Sequence, residues 1–371
     1  MFKGKKFLAL ALVLAFVAAI AVGCGGNTAS QSGEGGDKAK AAPDKVYKWK
    51  IVTCWPEALA LHQMPVELAK ILNETSGGRM EVEVFPDGAI VGAAEVLDAV
   101  NARTADAYHD YPGYWIGKIP SSPFIASVPM IMEPFMYLGW MYEGGGLELI
   151  QKAYDEAGYN IKLLVLGVTH PEQLAVSNKP MQTFDDFTGL KYRTVGWWGE
   201  ILRDVGVSVT SVPGAEVYPS LERGIIDAAE FSTPGVNRAL GFEEVTKYIS
   251  GPGMHQPGTL FTIGINKDSW NELPPDLQLL VESSARSVTL WGWCKDLQDS
   301  MNAVDYFEEK GVQKVTADPA VQQKLYEETI KLLDAKAQEE GGTFAEIWES
   351  MQSYRDRLVD YEEFMMPIRA E

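Results

Sequence analysis

The sequence predicts an α/β protein in two lobes, with a mainly helical C-terminal part. Three observations carry this. Strand-like and helix-like segments alternate from residue 48 to residue 266. The chain is too long for one hydrophobic core. A single stretch of helical spacing then runs from Pro275 to Lys310.

Lys48–Trp55 alternates weakly and reads as the first strand. Val66, Leu68, Ala69, Ile71 and Leu72 mark a helix that ends at Ser76-Gly77-Gly78. Met80–Pro86 alternates cleanly, with Met80, Val82 and Val84 inward and Glu81 and Glu83 outward. A second helix covers Ala93–Arg103, with Val96, Leu97 and Val100 on one face. This βαβα opening implies a sheet with helices on its faces. Gly144-Gly145-Gly146 reads as a turn. The same grammar returns with strands at Ile161–Leu166, Leu190–Val195, Val207–Val212 and Ile225–Phe231. Helices at Trp198–Asp204 and Glu216–Arg223 separate them, and Thr259–Asn266 is the last strand expected. From Pro275 to Lys310, apolar residues from Leu277 to Phe307 recur at helical spacing. Unbroken, that helix measures roughly 54 Å at about 1.5 Å per residue, enough to span two lobes; Gly292 is the place where it would break. Two more helices follow, near Ala320–Gln338 and Thr343–Tyr361.

The first 23 residues are read as a signal peptide. Lys3, Lys5 and Lys6 precede an apolar run, Phe7 to Val22. The run ends at Ala21-Val22-Gly23-Cys24, which is similar to a lipobox and makes Cys24 the expected lipidation site. Residues 24–45 form a polar tether without the apolar content to fold. Cleavage leaves about 348 residues, hence two lobes. The formal charge of −19 argues against a nucleic-acid partner, which rewards basic patches. Cys54 and Cys294 are too few and too far apart for a disulfide framework, and two free, buried thiols are expected.

Chemistry-bearing motifs are sparse. The four histidines show no metal-binding spacing, and no nucleophile elbow, Walker loop or dinucleotide fingerprint is present. What stands out is the stretch from Gly189 to Gln256. Arg193 leaves a strand, and Glu230 ends an otherwise apolar one. Such a pair can hold a small carboxylate directly or through a cation, and nothing beside it resembles a nucleophile or general base. Binding rather than catalysis is expected.

The motifs GLKYRTVG (Gly189–Gly196), GAEVYPSLERGIIDAAEF (Gly214–Phe231), RALGF (Arg238–Phe242) and HQP (His255–Pro257) resemble a known family. YWIGK (Tyr114–Lys118) and PEQL (Pro171–Leu174) add to the likeness, which runs from about Lys48 to Lys310. The family is that of extracytoplasmic solute receptors of tripartite ATP-independent periplasmic (TRAP) transporters. Its nearest branch includes 2-oxo-acid and lactate receptors and the group labelled mannitol/chloroaromatic-compound binding. The resemblance implies a two-lobed, periplasmic-binding-protein-like α/β fold with a long spine helix and C-terminal helices. On that plan lobe I is 46–170 plus 258–274 and lobe II is 171–257. The spine is 275–310 and the C-terminal helical segment 311–371.

By the same resemblance, Arg193 grips the substrate carboxylate, because a guanidinium offers two parallel donors where lysine offers a point charge. A bridging metal would be held by Gln173, the Glu230 side chain, the Phe231 carbonyl and a position occupied here by Gln256, where the branch has a second carboxylate. Arg193, Glu230, a monovalent acid and a monovalent cation sum to zero. That balance favours Na⁺ or no metal over Ca²⁺. Tyr114, Trp55, Trp197 and His255 are the expected further contacts with the ligand. Expected partners are a small organic acid, TRAP membrane subunits, the membrane through a lipid at Cys24, and a second copy through the Thr343–Tyr361 helix. The alternative readings are an ABC-type or sensory ligand-binding lipoprotein, and outside binding proteins a secreted hydrolase using carboxylates.

Overall fold

The computed structural model describes residues 45–212 and 214–367. The expected signal segment, the tether and Cys24 lie outside the described residues. The described strands form two sheets. The first has the order β2-β1-β3-β10-β4. It contains β1 (Tyr47–Thr53), β2 (Met80–Phe85), β3 (Ala107–Asp110), β4 (Ile161–Thr169) and β10 (Thr259–Asn266). β1 pairs in parallel with β2 and β3, whereas β10 runs antiparallel to both β3 and β4. The second sheet has the order β11-β9-β5-β8-β6-β7. Its strands are short: β5 (Ala175–Ser177), β6 (Lys191–Arg193), β7 (Ser208–Thr210), β8 (Ala228–Ala229), β9 (Tyr248–Gly251) and β11 (Gln313–Thr316).

Met80 and Val82 of β2 are buried while Glu81 and Glu83 are exposed, as the alternation requires. The helix before it, Gln63–Thr75, buries Leu68, Ala69 and Leu72 against this sheet. The second sheet is covered on both faces. Leu174, Met181, Tyr192, Trp198, Ile201 and Leu202 belong to one core, and Val176, Val217, Leu221, Ile226, Phe242 and Phe307 to another. β11 was not expected, since the chain beyond β10 reads as helical. It pairs in parallel with β9, so the chain returns to the second sheet after its longest helix.

That helix is continuous from Pro275 to Glu309, with no break at Gly292. Leu277, Val281, Ala285 and Val288 pack into the core of the first sheet, and Phe307 into a core of the second. It therefore ties both sheets together. The final helix, Gly342–Met365, folds back on its own chain: Phe344, Ile347, Trp348 and Met351 are buried, and Phe344 packs on Phe124 at 4.8 Å between ring centroids. Cys54 is buried and free, but Cys294 is exposed, contrary to the expectation of two buried thiols. It sits on the outer side of the long helix, where the sequence pattern alone does not separate inner from outer apolar positions.

Two further strands of chain join the sheets, residues 170–174 from β4 to β5 and residues 252–258 from β9 to β10. They lie against each other, with Glu172 N–H donating to Gln256 O at 3.1 Å. A Cβ built on Gly253 would stand 2.1 Å from the carbonyl oxygen of Glu172. Backbone meets backbone there, so no side chain fits without parting the two crossovers. Gly253→Ala is expected to cost about 1–3 kcal/mol, the usual penalty of overpacking, and to lower the melting temperature by several degrees. A thermal melt followed by circular dichroism checks this, and an unchanged melt would show that the crossovers separate freely.

Candidate functional site

Arg193 ends β6, and Glu230 follows β8. These strands are parallel neighbours in register, with Arg193 opposite Ala229. Both side chains are buried, at 7% and 2% exposure. Arg193 Nη1 donates to the Glu230 carbonyl at 2.8 Å and to its Oε1 at 3.1 Å. Nε donates to the Val212 carbonyl at 3.2 Å. The guanidinium is thus held by three oxygens, and no described residue accepts from Nη2. A donor group held in this way, with one nitrogen free, suits an anion.

The pair opens into a cavity of about 50 Å³ between the two sheets. Its walls include Trp55, Tyr111, Tyr114, Glu172, Phe231 and Gln256. At roughly 10–15 Å³ per water, that space holds about four water-sized groups, the scale of a small acid. A second cavity of the same volume adjoins it. It shares Tyr111, Tyr114, Val195 and Gln256 with the first and adds Trp197, Trp198 and His255.

The aromatic positions are fixed by specific partners. The Trp55 indole donates to His109 Nδ1 at 2.9 Å, and His109 Nε2 meets the Leu166 carbonyl at 3.0 Å. Complete burial holds the His109 pKa down to about 3, so the ring stays neutral and can accept the indole proton. Trp55 in turn packs edge-on against Phe261. Tyr114 is half exposed and lines both cavities. Trp197 reaches from the second sheet's side into the first core, against Phe124 and Phe344.

Of the residues named from sequence, Arg193, Glu230, Phe231, Gln256, Tyr114 and Trp55 line the first cavity. His255, Trp197, Tyr114 and Gln256 line the second. Gln173 lines neither; its Oε1 accepts from Asn237 at 2.7 Å. The neighbouring Glu172 takes the cavity position. Extended chain sends consecutive side chains to opposite sides, so a one-residue difference decides which of the two faces the ligand. Glu172 and Tyr111 are the titratable residues lining the first cavity that sequence reasoning missed. The signals available were a carboxylate beside Gln173, and a tyrosine just before the Tyr114-Trp115 pair.

Glu172, Glu230 and His255 bring two carboxylate oxygens and a ring nitrogen within 4.8 Å of one another. His255 Nε2 lies 3.4 Å from Glu172 Oε2, too poorly aligned for a hydrogen bond. Glu172 Oε2 and both His255 nitrogens are consequently buried without partners. Such orphans each cost about 1–3 kcal/mol, and a cation or ligand atom among them removes the penalty. Burial pushes the Glu172 carboxyl up to about 7, with His255 opposing and Glu230 adding to the rise. Gln256 is already engaged: its Oε1 accepts from Thr259 at 2.7 Å and its Nε2 meets the Tyr111 hydroxyl at 3.3 Å. The oxygen-rich donor set suits a hard cation such as Ca²⁺ or Na⁺.

Comparison with known proteins follows the same lines. The family model described as bacterial extracellular solute-binding protein, family 7, matches residues 51–340. The monocarboxylate 2-oxoacid-binding periplasmic protein of Nostoc sp. is 29% identical over 313 residues, 84% of this chain and 85% of that protein. A TRAP periplasmic solute binding protein from Colwellia psychrerythraea, solved with bound calcium and pyruvate, aligns with a TM-score of 0.81 at 26% identity. The alignment covers 86% of this chain and 98% of that one. One from Pseudoalteromonas atlantica, solved with bound sodium and pyruvate, gives 0.80 at 26% identity over 86% and 97%.

Proposed function

The chain belongs to family 7 of the bacterial extracellular solute-binding proteins, and on that premise we propose how it holds its ligand. It is an extracytoplasmic receptor of a TRAP transporter, a class that captures small organic acids for membrane subunits, and not an enzyme. Our reading is that it binds a small 2-oxo monocarboxylate in the cavity between the sheets. The observation that carries this is the buried Arg193, with Nη2 free, facing a cavity that Glu172 also lines, with the unpartnered Glu172 Oε2 and His255 nitrogens beside it. The carboxylate takes Nη2 and competes with Glu230 Oε1 for Nη1. Tyr111, Tyr114 and Trp55 enclose the rest of the ligand.

Glu172 alters the charge count made from sequence. With Glu172 and Glu230 both ionised, Arg193 and a monocarboxylate leave two negative charges, which a divalent ion balances. With Glu172 protonated, one remains, which Na⁺ balances. Glu172 and Glu230, with the Phe231 carbonyl, are the residues that would hold the ion. The ion would supply positive charge to the ligand's oxygens and to these carboxylates.

We assign lobe I to 46–170 with 258–274, and lobe II to 171–257 with β11 added. The crossovers at 170–174 and 252–258 and the spine helix serve as the hinge. Closure follows from ligand contacts made by residues of both lobes. The mature protein is placed outside the cytoplasmic membrane, lipid-anchored at Cys24.

A thermal-shift screen of metal-stripped protein tests the binding mode. Oxo, hydroxy, dicarboxylic and aromatic acids are offered with Ca²⁺, with Na⁺ and with neither. A small 2-oxo monocarboxylate is expected to stabilise the protein by about 2.7 kcal/mol at a hundredfold excess over Kd, in the presence of a cation. Equal shifts with and without cation would remove the bridging ion, and a preference for neutral solutes would remove the carboxylate site.

A further inference from the structure

We propose that Asp296, in the middle of the spine helix, is a positioning residue for the cation site, fixing the two chain segments that carry Glu172 and Glu230. The inference rests on the ion-bridged reading above. Glu172 belongs to the crossover 170–174 and Glu230 to the turn after β8, so the two carboxylates come from separate segments. Their like charges push them apart, and something outside the pair has to set their spacing. Asp296 is 9% exposed and takes part in none of the salt bridges among the described residues; its neighbour Lys295 pairs with Asp299 instead. A carboxylate buried on a helix without a cation is costly unless its oxygens are fully engaged.

Both oxygens are engaged, and each goes to one of the two segments. Oδ2 accepts from the His170 backbone N–H at 2.9 Å, two residues before Glu172. Oδ1 accepts from the Thr233 hydroxyl at 2.7 Å, three residues after Glu230. Ser300, one turn along the spine, donates to the same oxygen at 3.4 Å and accepts from the Gly235 N–H at 3.3 Å. The His170 ring also stacks on Trp293 of the spine, with ring centroids 5.5 Å apart. A second side chain closes the frame from the other end. Asn237 Nδ2 donates to Gln173 Oε1 at 2.7 Å and to the Ser232 carbonyl at 2.8 Å. Glu172 therefore stands between two anchored neighbours, His170 and Gln173. Glu230 and Phe231 run directly into two more, Ser232 and Thr233. Gln173, absent from the first cavity's wall, acts in this frame. Partners that hold metal ligands in place are typically worth about 10–100-fold in metal affinity.

Calorimetric titration of calcium into metal-stripped protein in excess pyruvate, well below the melting temperature, tests this. Asp296→Ala is expected to weaken calcium binding about tenfold or more, with an unchanged circular dichroism spectrum. Asp296→Asn is expected to restore most of it. Its Oδ1 accepts from the His170 N–H while its Nδ2 donates to the Thr233 hydroxyl, which turns to accept. Recovery without the charge marks geometry as the means. Thr233→Val, nearly the same shape, should lose part of the affinity and add little on top of Asp296→Ala, since both cut one link. In a Glu172→Gln background Asp296→Ala should weaken calcium binding clearly less than in wild type, because one of the two positioned ligands is already gone. In the apo protein the His170 amide should exchange faster in Asp296→Ala than in Asp296→Asn. Wild-type calcium affinity in Asp296→Ala, equal amide exchange in the two variants, or an undiminished loss in the Glu172→Gln background overturns the proposal. Cation-independent binding of pyruvate by wild type would remove the ion reading itself, and this proposal with it.

Discussion

Arg193→Ala is expected to abolish the ligand-induced thermal shift and to leave a folded but weakened protein. Two effects add. The incoming carboxylate loses the free Nη2 and its share of Nη1, the strongest contact the cavity offers. Glu230, 2% exposed, loses its cationic partner and becomes a buried, uncompensated charge. Removing one member of a buried pair costs about 3–5 kcal/mol. The separate loss of the charge-assisted contact to the carboxylate, about 1.5–3 kcal/mol, is about one to two decades of affinity at ~1.4 kcal/mol per tenfold. Arg193→Lys separates charge from geometry. Lysine keeps the positive charge but cannot span the Val212 carbonyl, the Glu230 carbonyl and Oε1 with a planar fork. It is expected to fold nearly normally and to bind at least about tenfold more weakly, the scale of one lost charge-assisted hydrogen bond. Isothermal titration with pyruvate in calcium buffer reads both variants. Wild-type affinity in Arg193→Ala would place the acid elsewhere.

The Arg193–Glu230 pair was legible because Arg193 leaves a strand and Glu230 ends an otherwise apolar one, and parallel neighbours in one sheet bring such ends together. The long strands were legible for a similar reason. β1, β2 and β10 carry enough residues for alternation or continuous apolarity to show. β5 has three residues, all buried, and so has no pattern to read, while the strand expected at Ile225–Phe231 narrows to the two residues of β8. The helix Pro134–Glu143 escaped because its apolar residues surround it, leaving no polar face to set a period. Glu172 was lost by a single step of register on an extended crossover, where Gln173 turns to Asn237 instead. The cavity therefore holds a second carboxylate next to Gln173 rather than at Gln256, and a charge balance without it is incomplete.

That carboxylate makes cation-dependent binding sensitive to pH. Glu172 faces Glu230 and His255 in the cavity, with Arg193 beyond Glu230. Its folded-state pKa, raised by burial to about 7, means that cation binding must displace a proton at and below neutral pH. Affinity for acid in the presence of Ca²⁺ is expected to fall about tenfold for each pH unit below 7, and to level off above it. Titrations in buffers of different ionisation enthalpy should show nearly one proton released at pH 6 and little at pH 8. Without ligand the sign reverses. A carboxyl whose folded pKa exceeds its unfolded one favours the folded state fully below about 4.5, and that contribution is lost as pH rises through 7. Over this window the loss is about 3 kcal/mol. Asp110, also pushed up to about 7 by burial, changes stability in the same direction, so the wild-type melt contains both. Glu172→Gln removes only one share. It is expected to flatten the pH dependence of binding, to soften but not erase that of the apo melt, and to shift ion preference from Ca²⁺ toward Na⁺. If Glu172→Gln keeps the wild-type calcium dependence and pH slope, the second carboxylate plays no part in holding the ion.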